Sequence, residues 1–229
     1  MHRLGFGAMR ILEDPAQGMR VLRRAVDLGV NLVDTADIYG AGRSEELIAR
    51  ALYPYPDDLV IATKGGLGWG LQERIRDARP ERLQAAVEAS LRRLKLERID
   101  LYQLHRHDPA VPIEESIGLL ARLRDEGKIR FVGISNVSLR QLRQCRSVTP
   151  IATVQNHYNR GYLVSEDVLD ACERDGIGFI PWAPLGEGLG DPASELRWLL
   201  ERSPVMLPIP GTSRVDHLEH NMRASRFAG

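Results

Sequence analysis

NLVDTADIYGAGRSEELIARALYPYPDDLVIATKGG, residues 31–66, decides the fold. It opens on a short apolar run, NLVDTAD, which suits a buried strand. SEELIARAL (44–52) then carries apolar residues at helical spacing, with Ser44 in the position of an N-cap. LVIATKGG (59–66) is a second strand-like run. A strand, a helix and a strand in succession imply a parallel pair joined by a right-handed crossover. Both strands end on groups that a core does not need. Asp34, Asp37 and Tyr39 close the first, and Lys64 closes the second.

The same unit recurs along the chain. LGFGAMRI (4–11) reads as a strand before the helix at 18–29, and the helix at 80–96 leads to the strand IDLYQLH (99–105). The helix at 112–127 precedes IRFVGISN (129–136), and the helix at 138–148 precedes IATVQNHYN (151–159). The helix at 165–176 leads to GFIPWAPLG (178–186), and the helix at 193–203 to VMLPIPGT (205–212) and a last helix at 214–225. Eight strand–helix pairs with nothing left over predict an α/β fold, a (β/α)8 TIM barrel, built as a single domain over 1–229. A doubly wound sheet is the alternative. Its glycine-rich turn is missing, because GFG in the first strand is not followed by GxxG spacing.

The bulk properties narrow the function. The chain has 229 residues, 43% of them hydrophobic, and a formal net charge of zero. That balance argues against nucleic acid as a partner. No apolar run reaches the roughly 18 to 20 residues that cross a bilayer, and the start lacks the apolar core of a signal peptide. A cytoplasmic location, no membrane partner and two buried free thiols, Cys145 and Cys172, are the expectation. Lysine occurs only at 64, 95 and 128. Arginine carries the rest of the positive charge, so a retained lysine suggests a role that needs a compact ammonium.

In such a barrel the C-terminal strand ends build the active site. Polar groups collect there: Asp34 and Tyr39, Lys64, His105, Ser135 and Asn136, Gln155, Trp182, then Gly211, Thr212, Ser213 and Arg214. A phenol holds its proton to a pKa near 10. An adjacent ammonium stabilises the phenolate, and a carboxylate keeps that ammonium in place. A histidine alongside can orient a substrate oxygen. Such a set protonates a carbonyl oxygen as charge develops on it. The matching hydride has to come from a cofactor.

Seven segments, in order, resemble the aldo-keto reductase family: VDTADIYG, IATKGG, IDLYQLHRHD, FVGISN, VQNHYN, WAPLG and IPGTSRVDHLEHN. The resemblance implies NAD(P)H-dependent reduction of small aldehydes and ketones. By position, Tyr39 is the general acid, Lys64 eases the release of its proton, Asp34 pairs with Lys64, and His105 orients the substrate. Ser135, Asn136 and Gln155 match the residues that hold the nicotinamide carboxamide, and Trp182 matches the ring stacked on the nicotinamide. Leu185 and Gly186 begin the loop over the pyrophosphate. Gly211, Thr212, Ser213, Arg214, His217 and Asn221 match the adenosine side. Arg214 offers a cation to a 2′-phosphate, while Gly211 and His217 stand where many relatives carry Lys and Arg. NADPH with eased use of NADH is therefore implied.

The chain departs from the family after Gly186, where EGLGDPASELRWLLERSP runs quickly into the last strand. That predicts a more open pocket, and Glu187 brings a negative charge near the pyrophosphate path. A monomer is expected. The alternative function is a nicotinamide-nucleotide-binding sensor or subunit, or an inactive scaffold. Other readings are plainer. Lys64 as a Schiff-base lysine leaves Tyr39 unexplained, and His105 with His107 is too few ligands for a metal. Asp37 reads as a solvated loop acid and His107 as an exposed loop residue. GGLGWG (65–70) reads as a mobile loop with Trp69 as a lid residue, and Trp198 and Cys172 read as core.

Overall fold

The computed structural model describes residues 3–69, 74–186, 188 and 190–223. In chain order the strands are β1 (Phe6–Gly7), β2 (Leu32–Asp34), β3 (Val60–Gly65), β4 (Leu67–Trp69), β5 (Arg74–Arg76), β6 (Ile99–Leu104), β7 (Ile129–Ser135), β8 (Thr153–His157) and β9 (Gly178–Trp182). The helices are α1 (Pro15–Asp27), α2 (Arg43–Leu52), α3 (Pro80–Leu94), α4 (Ile113–Asp125), α5 (Leu139–Val148), α6 (Glu166–Asp175), α7 (Pro192–Arg202) and α8 (Val215–Met222). Seven strands form one curled parallel sheet in the order β1-β2-β3-β6-β7-β8-β9, and β4 and β5 form an antiparallel pair.

Local chemistry explains the helix ends. Asp14 Oδ1 accepts the backbone N–H groups of Ala16 and Gln17 at 3.0 and 3.1 Å, with Pro15 at the first helical position of α1. Ser138 and Gln141 form a capping box at α5. Gly176 ends α6 in the left-handed region at φ 66°.

Strand alternation then sorts side chains to two faces. One face packs against the helices in the main core, with Val33, Ile61, Tyr102, Ile134 and Phe179 among its residues. The other face builds a smaller cluster of Leu32, Ala62, Leu101, Ile180, Leu207 and Ile209. Two residues further along the same strands come Asp34, Lys64, Gln103 and Trp182. The inner face therefore changes from apolar to polar toward the C-terminal strand ends, where the site lies.

Four expectations need correction. The first strand is short: only Phe6–Gly7 pairs, and Ala8–Arg10 form a 3-10 turn. The turn is held from outside, because Ser44 Oγ donates to the Ala8 carbonyl at 3.1 Å. Ser44 is for that reason not the cap of α2. Gly42 is the N-cap, at φ 91°, and Ser44 is buried against Thr35 Oγ1 at 2.8 Å. Within GGLGWG, Leu67–Trp69 form β4, which pairs antiparallel with β5, where the sequence suggested a loop. The Trp69 side chain and Glu187 lie outside the described residues. Finally, VMLPIPGT forms no regular strand. Pro208 and Pro210 have no N–H to give to a ladder. The segment still bonds on both sides: Phe179 N–H reaches the Val205 carbonyl and Leu207 N–H the Phe179 carbonyl, each at 2.8 Å, while Gly5 N–H reaches Pro208 at 2.9 Å and Gly7 N–H reaches Pro210 at 3.4 Å.

Candidate active site

The centre of the site is a buried ion pair. Lys64 Nζ, on β3, donates to Asp34 Oδ1 on β2 at 2.6 Å and to the Thr35 carbonyl at 2.7 Å. The two side chains are 0% and 2% exposed. Taking both charges out of water is costly unless every lone pair and proton is used. Asp34 Oδ2 is used twice, by Gln103 Nε2 at 3.1 Å and Gln155 Nε2 at 2.9 Å. Burial alone would lower the Lys64 pKa, but the charge and hydrogen bond of Asp34, with Tyr39 and Asp37 nearby, hold it above its ordinary value. Lys64 is therefore a fixed cation.

Tyr39 sits where the chain leaves β2. Thr35 N–H bonds to Ala62 at 2.8 Å and Asp37 N–H to the Lys64 carbonyl at 3.1 Å, which keeps this stretch against β3. Tyr39 N–H then turns back to Ala36 at 3.1 Å. The turn brings the phenol ring over Lys64, with Nζ at 5.4 Å from its centroid. His105, just beyond β6, meets the same ring edge-on at 6.0 Å and 84°. Its backbone N–H is fixed to the Gly65 carbonyl at 2.8 Å. Asp34, Tyr39, Lys64 and His105 are thus brought together around one point.

Asp37 is not the solvated acid that the sequence suggested. Its Oδ1 is buried with no hydrogen-bond partner. Burial pushes its carboxyl up to about 7, the nearby Glu45 charge adds to the effect, and Arg93 and Lys64 oppose it. Glu45 is itself fully buried, accepting from Thr63 Oγ1 and Arg93 Nε, each at 2.6 Å. His107 is likewise engaged: its Nε2 faces the Val111 carbonyl at 3.2 Å and its Nδ1 faces Gln141 Nε2 at 3.0 Å.

A second cluster adjoins the first. Asn136 takes a left-handed conformation at φ 58°, which asparagine tolerates better than most residues. Its Nδ2 donates to the His105 carbonyl at 3.1 Å and to Ser135 Oγ at 2.9 Å, and its Oδ1 accepts from Trp182 Nε1 at 3.0 Å. Ser135 Oγ donates to the Gln155 carbonyl at 2.8 Å. One face of the Trp182 indole lies on His157 at 4.1 Å and 11°, and His157 in turn lies on Tyr162 at 4.0 Å and 21°. The donor set suits a nicotinamide. A carboxamide has both a donor and an acceptor end, and Ser135, Asn136 and Gln155 offer a hydroxyl and two amides. The half-buried indole offers a flat ring beside them.

The remaining expected residues lie apart from this cluster. Leu185 is half-buried, and Gly186 at φ 58° donates its N–H to Ala183 at 3.0 Å. At the start of α8, Thr212 Oγ1 accepts the Arg214 N–H at 3.1 Å. A Cβ on Gly211 would come within 2.7 Å of the Gly7 carbonyl, so a glycine is needed there. Arg214 is exposed and bound to Asp216, with Nη2 to Oδ2 at 2.6 Å. His217 is exposed and Asn221 is buried. The sequence reading missed Gln103, Thr35 and His157. Of these only Gln103 gave a local signal, as an amide inside the apolar run of IDLYQLH.

The family model described as the aldo/keto reductase family matches residues 3–196. An uncharacterized oxidoreductase of Schizosaccharomyces pombe is 42% identical, over 98% of this chain and 82% of its own. Pyridoxine 4-dehydrogenase of Escherichia coli is 38% identical, over 99% and 90%. Among solved structures, the glycerol dehydrogenase of Gluconobacter oxydans matches with a TM-score of 0.91 at 29% identity, covering 97% of this chain and 86% of that one. An aldo/keto reductase of Klebsiella pneumoniae, in complex with NADP and acetate, matches with a TM-score of 0.83 at 26% identity, covering 99% and 87%. The fold and site define a nicotinamide-dependent oxidoreductase of the parallel α/β class. The chain belongs to the aldo/keto reductase family, whose chemistry is the NADPH-dependent reduction of carbonyl groups.

Proposed function

We propose that the protein reduces small aldehydes and ketones with Tyr39 as the proton donor. The observation that carries this is the Lys64 ammonium, fixed by Asp34 and held beneath the Tyr39 ring. When bound, NADPH supplies the hydride to the carbonyl carbon. As charge grows on the carbonyl oxygen, Tyr39 passes its hydroxyl proton to that oxygen. Lys64 stabilises the phenolate left behind, and Asp34 keeps Lys64 from moving with it. His105 directs the substrate oxygen toward Tyr39. Gln155 must present its amide nitrogen to Asp34, because a carboxylate only accepts. Its carbonyl oxygen therefore remains for the carboxamide N–H of the nicotinamide. Ser135 and Asn136 complete that contact, and Trp182 packs on the ring.

Leu185 and Gly186 belong to the pyrophosphate side in this reading. Gly211, Thr212, Ser213, Arg214, His217 and Asn221 belong to the adenosine side. The scaffold is a single domain and a closed (β/α)8 barrel. The bonds of residues 205–210 to Phe179 on one side and to Gly5 and Gly7 on the other support closure. The enzyme works as a monomer in the cytoplasm. Among the described residues, no helix is long and apolar enough to cross a membrane.

The test is consumption of reduced nicotinamide, followed by its near-ultraviolet absorbance, over a panel of aromatic and aliphatic aldehydes. NADPH and NADH are run in parallel, with Tyr39→Phe as the control. Turnover that disappears in Tyr39→Phe supports the assignment. Turnover that survives this substitution would falsify it.

A further inference from the structure

Glu13, in the turn before α1, meets Ser213, in the turn before α8: the Ser213 hydroxyl donates to Glu13 Oε2 at 3.1 Å. The two residues come from opposite ends of the chain. Nothing in the chemistry of Asp34, Tyr39, Lys64 and His105 uses this contact. The neighbouring cation is already engaged by a carboxylate. Asp216 occupies one edge of the Arg214 guanidinium, Nε to Oδ1 at 3.0 Å and Nη2 to Oδ2 at 2.6 Å. The residues from 211 to 217 and their contact Glu13 thus hold two carboxylates and one arginine, and the arginine is already paired.

We infer that Glu13 is a specificity-determining residue that favours a nucleotide with a free ribose 2′-hydroxyl over one with a 2′-phosphate. This rests on the proposed placement of the adenosine at Gly211–Asn221. A carboxylate accepts a hydrogen bond from a ribose hydroxyl, and nucleotide enzymes that prefer NAD use an acid for that purpose. The same carboxylate repels a phosphate monoester, which carries up to two negative charges. Ser213 holds the Glu13 side chain at this position, and Asp216 draws away the cation that would otherwise answer the phosphate. The residue lies in the first βα turn, far in sequence from the segment that it acts on.

Glu13 is exposed, so its effect is screened by solvent and modest in size. Dissociation constants for NADPH and NADH are measured by quenching of tryptophan fluorescence in the intact protein, Glu13→Gln and Glu13→Ala. Both variants are expected to bind NADPH about 3- to 10-fold more tightly and NADH no more tightly than the intact protein. The gain for NADPH is expected to shrink as salt is raised. Equal changes for the two nucleotides, or none, overturn the inference and leave the functional reading standing. Failure of every form, intact protein included, to bind either nucleotide overturns both. Circular dichroism of the variants identifies a loss that comes from misfolding, and Ser213→Ala provides the second route. By freeing the Glu13 carboxylate from its fixed position, it is expected to move the ratio of the two constants in the same direction by a smaller factor.

Discussion

Gln155 and Asp34, 121 residues apart in the chain, are joined by a hydrogen bond of 2.9 Å. Gln103 completes the same carboxylate oxygen at 3.1 Å. The buried Asp34–Lys64 ion pair is therefore clamped from two further strands. Gln103→Leu takes away one donor and leaves Asp34 less well satisfied in a buried place. A loss of about 1–3 kcal/mol in unfolding free energy is expected by urea titration. The midpoint is expected to move with little change in slope, since the fold itself is retained.

Lys64 and Tyr39 separate stability from chemistry. Lys64→Met strips a buried carboxylate of its counter-ion and is expected to cost about 3–5 kcal/mol. Adding Asp34→Asn to that variant is expected to restore part of the loss, because no unpaired charge of this pair then remains. Tyr39→Phe removes one hydroxyl at a half-buried position. Its melting temperature and NADPH affinity are expected to stay near those of the parent, while turnover falls by about 100-fold or more. A matching fall in melting temperature would show that the phenol is structural.

Asp37 gives stability a pH dependence. Its carboxyl ionises at about 7 in the folded protein, against 3.8 as the ordinary value. Between those two values the folded state keeps a proton that the unfolded chain releases. Stability from this group is therefore present at low pH, falls as pH rises through the window, and is lost by neutrality. Asp37→Asn cannot ionise. It is expected to flatten that slope and to raise stability at mildly alkaline pH by on the order of 1–3 kcal/mol. Thermal melts across the pH range check this directly.

His157 supports Trp182 from behind. Its ring is stacked 4.1 Å from the indole, and burial lowers its pKa, so it is a neutral spacer at physiological pH. His157→Ala removes that support without touching the indole hydrogen bond to Asn136. Losing one stacked pair is expected to weaken NADPH binding by about 0.5–1.5 kcal/mol. The tryptophan emission is expected to change at the same time, and turnover at saturating cofactor much less.

The order of strands and helices was legible because alternation and helical spacing are local signals. The polar strand ends were legible because an Asp, a Lys or a Gln stands out at the end of an apolar run. What the sequence hid was set by distant partners. β1 stops at Gly7 because Ser44 holds the Ala8 carbonyl from a different helix. Asp37 Oδ1 is buried, and the Glu45 and Arg93 charges that act on it lie on other elements, so nothing in DTADIYG shows them. Glu13 looks like one more surface acid until Ser213 is found beside it, at a separation of 200 residues. VMLPIPGT reads as a strand from its apolar run, and the structure uses its Pro208 and Pro210 only as acceptors because neither has an N–H to give.

Those two prolines make the joint between the chain's beginning and its end one-directional. The backbone bonds from residues 5–7 into residues 208–210 are given by glycine amides, Gly5 at 2.9 Å and Gly7 at 3.4 Å, and none is returned by a proline. Beside the Arg3 guanidinium, which donates to the Leu200 carbonyl at 2.7 Å, these two amide protons latch the first ten residues to the last quarter of the chain. Their exchange with deuterium reports the parting of that joint separately from the rest of the sheet.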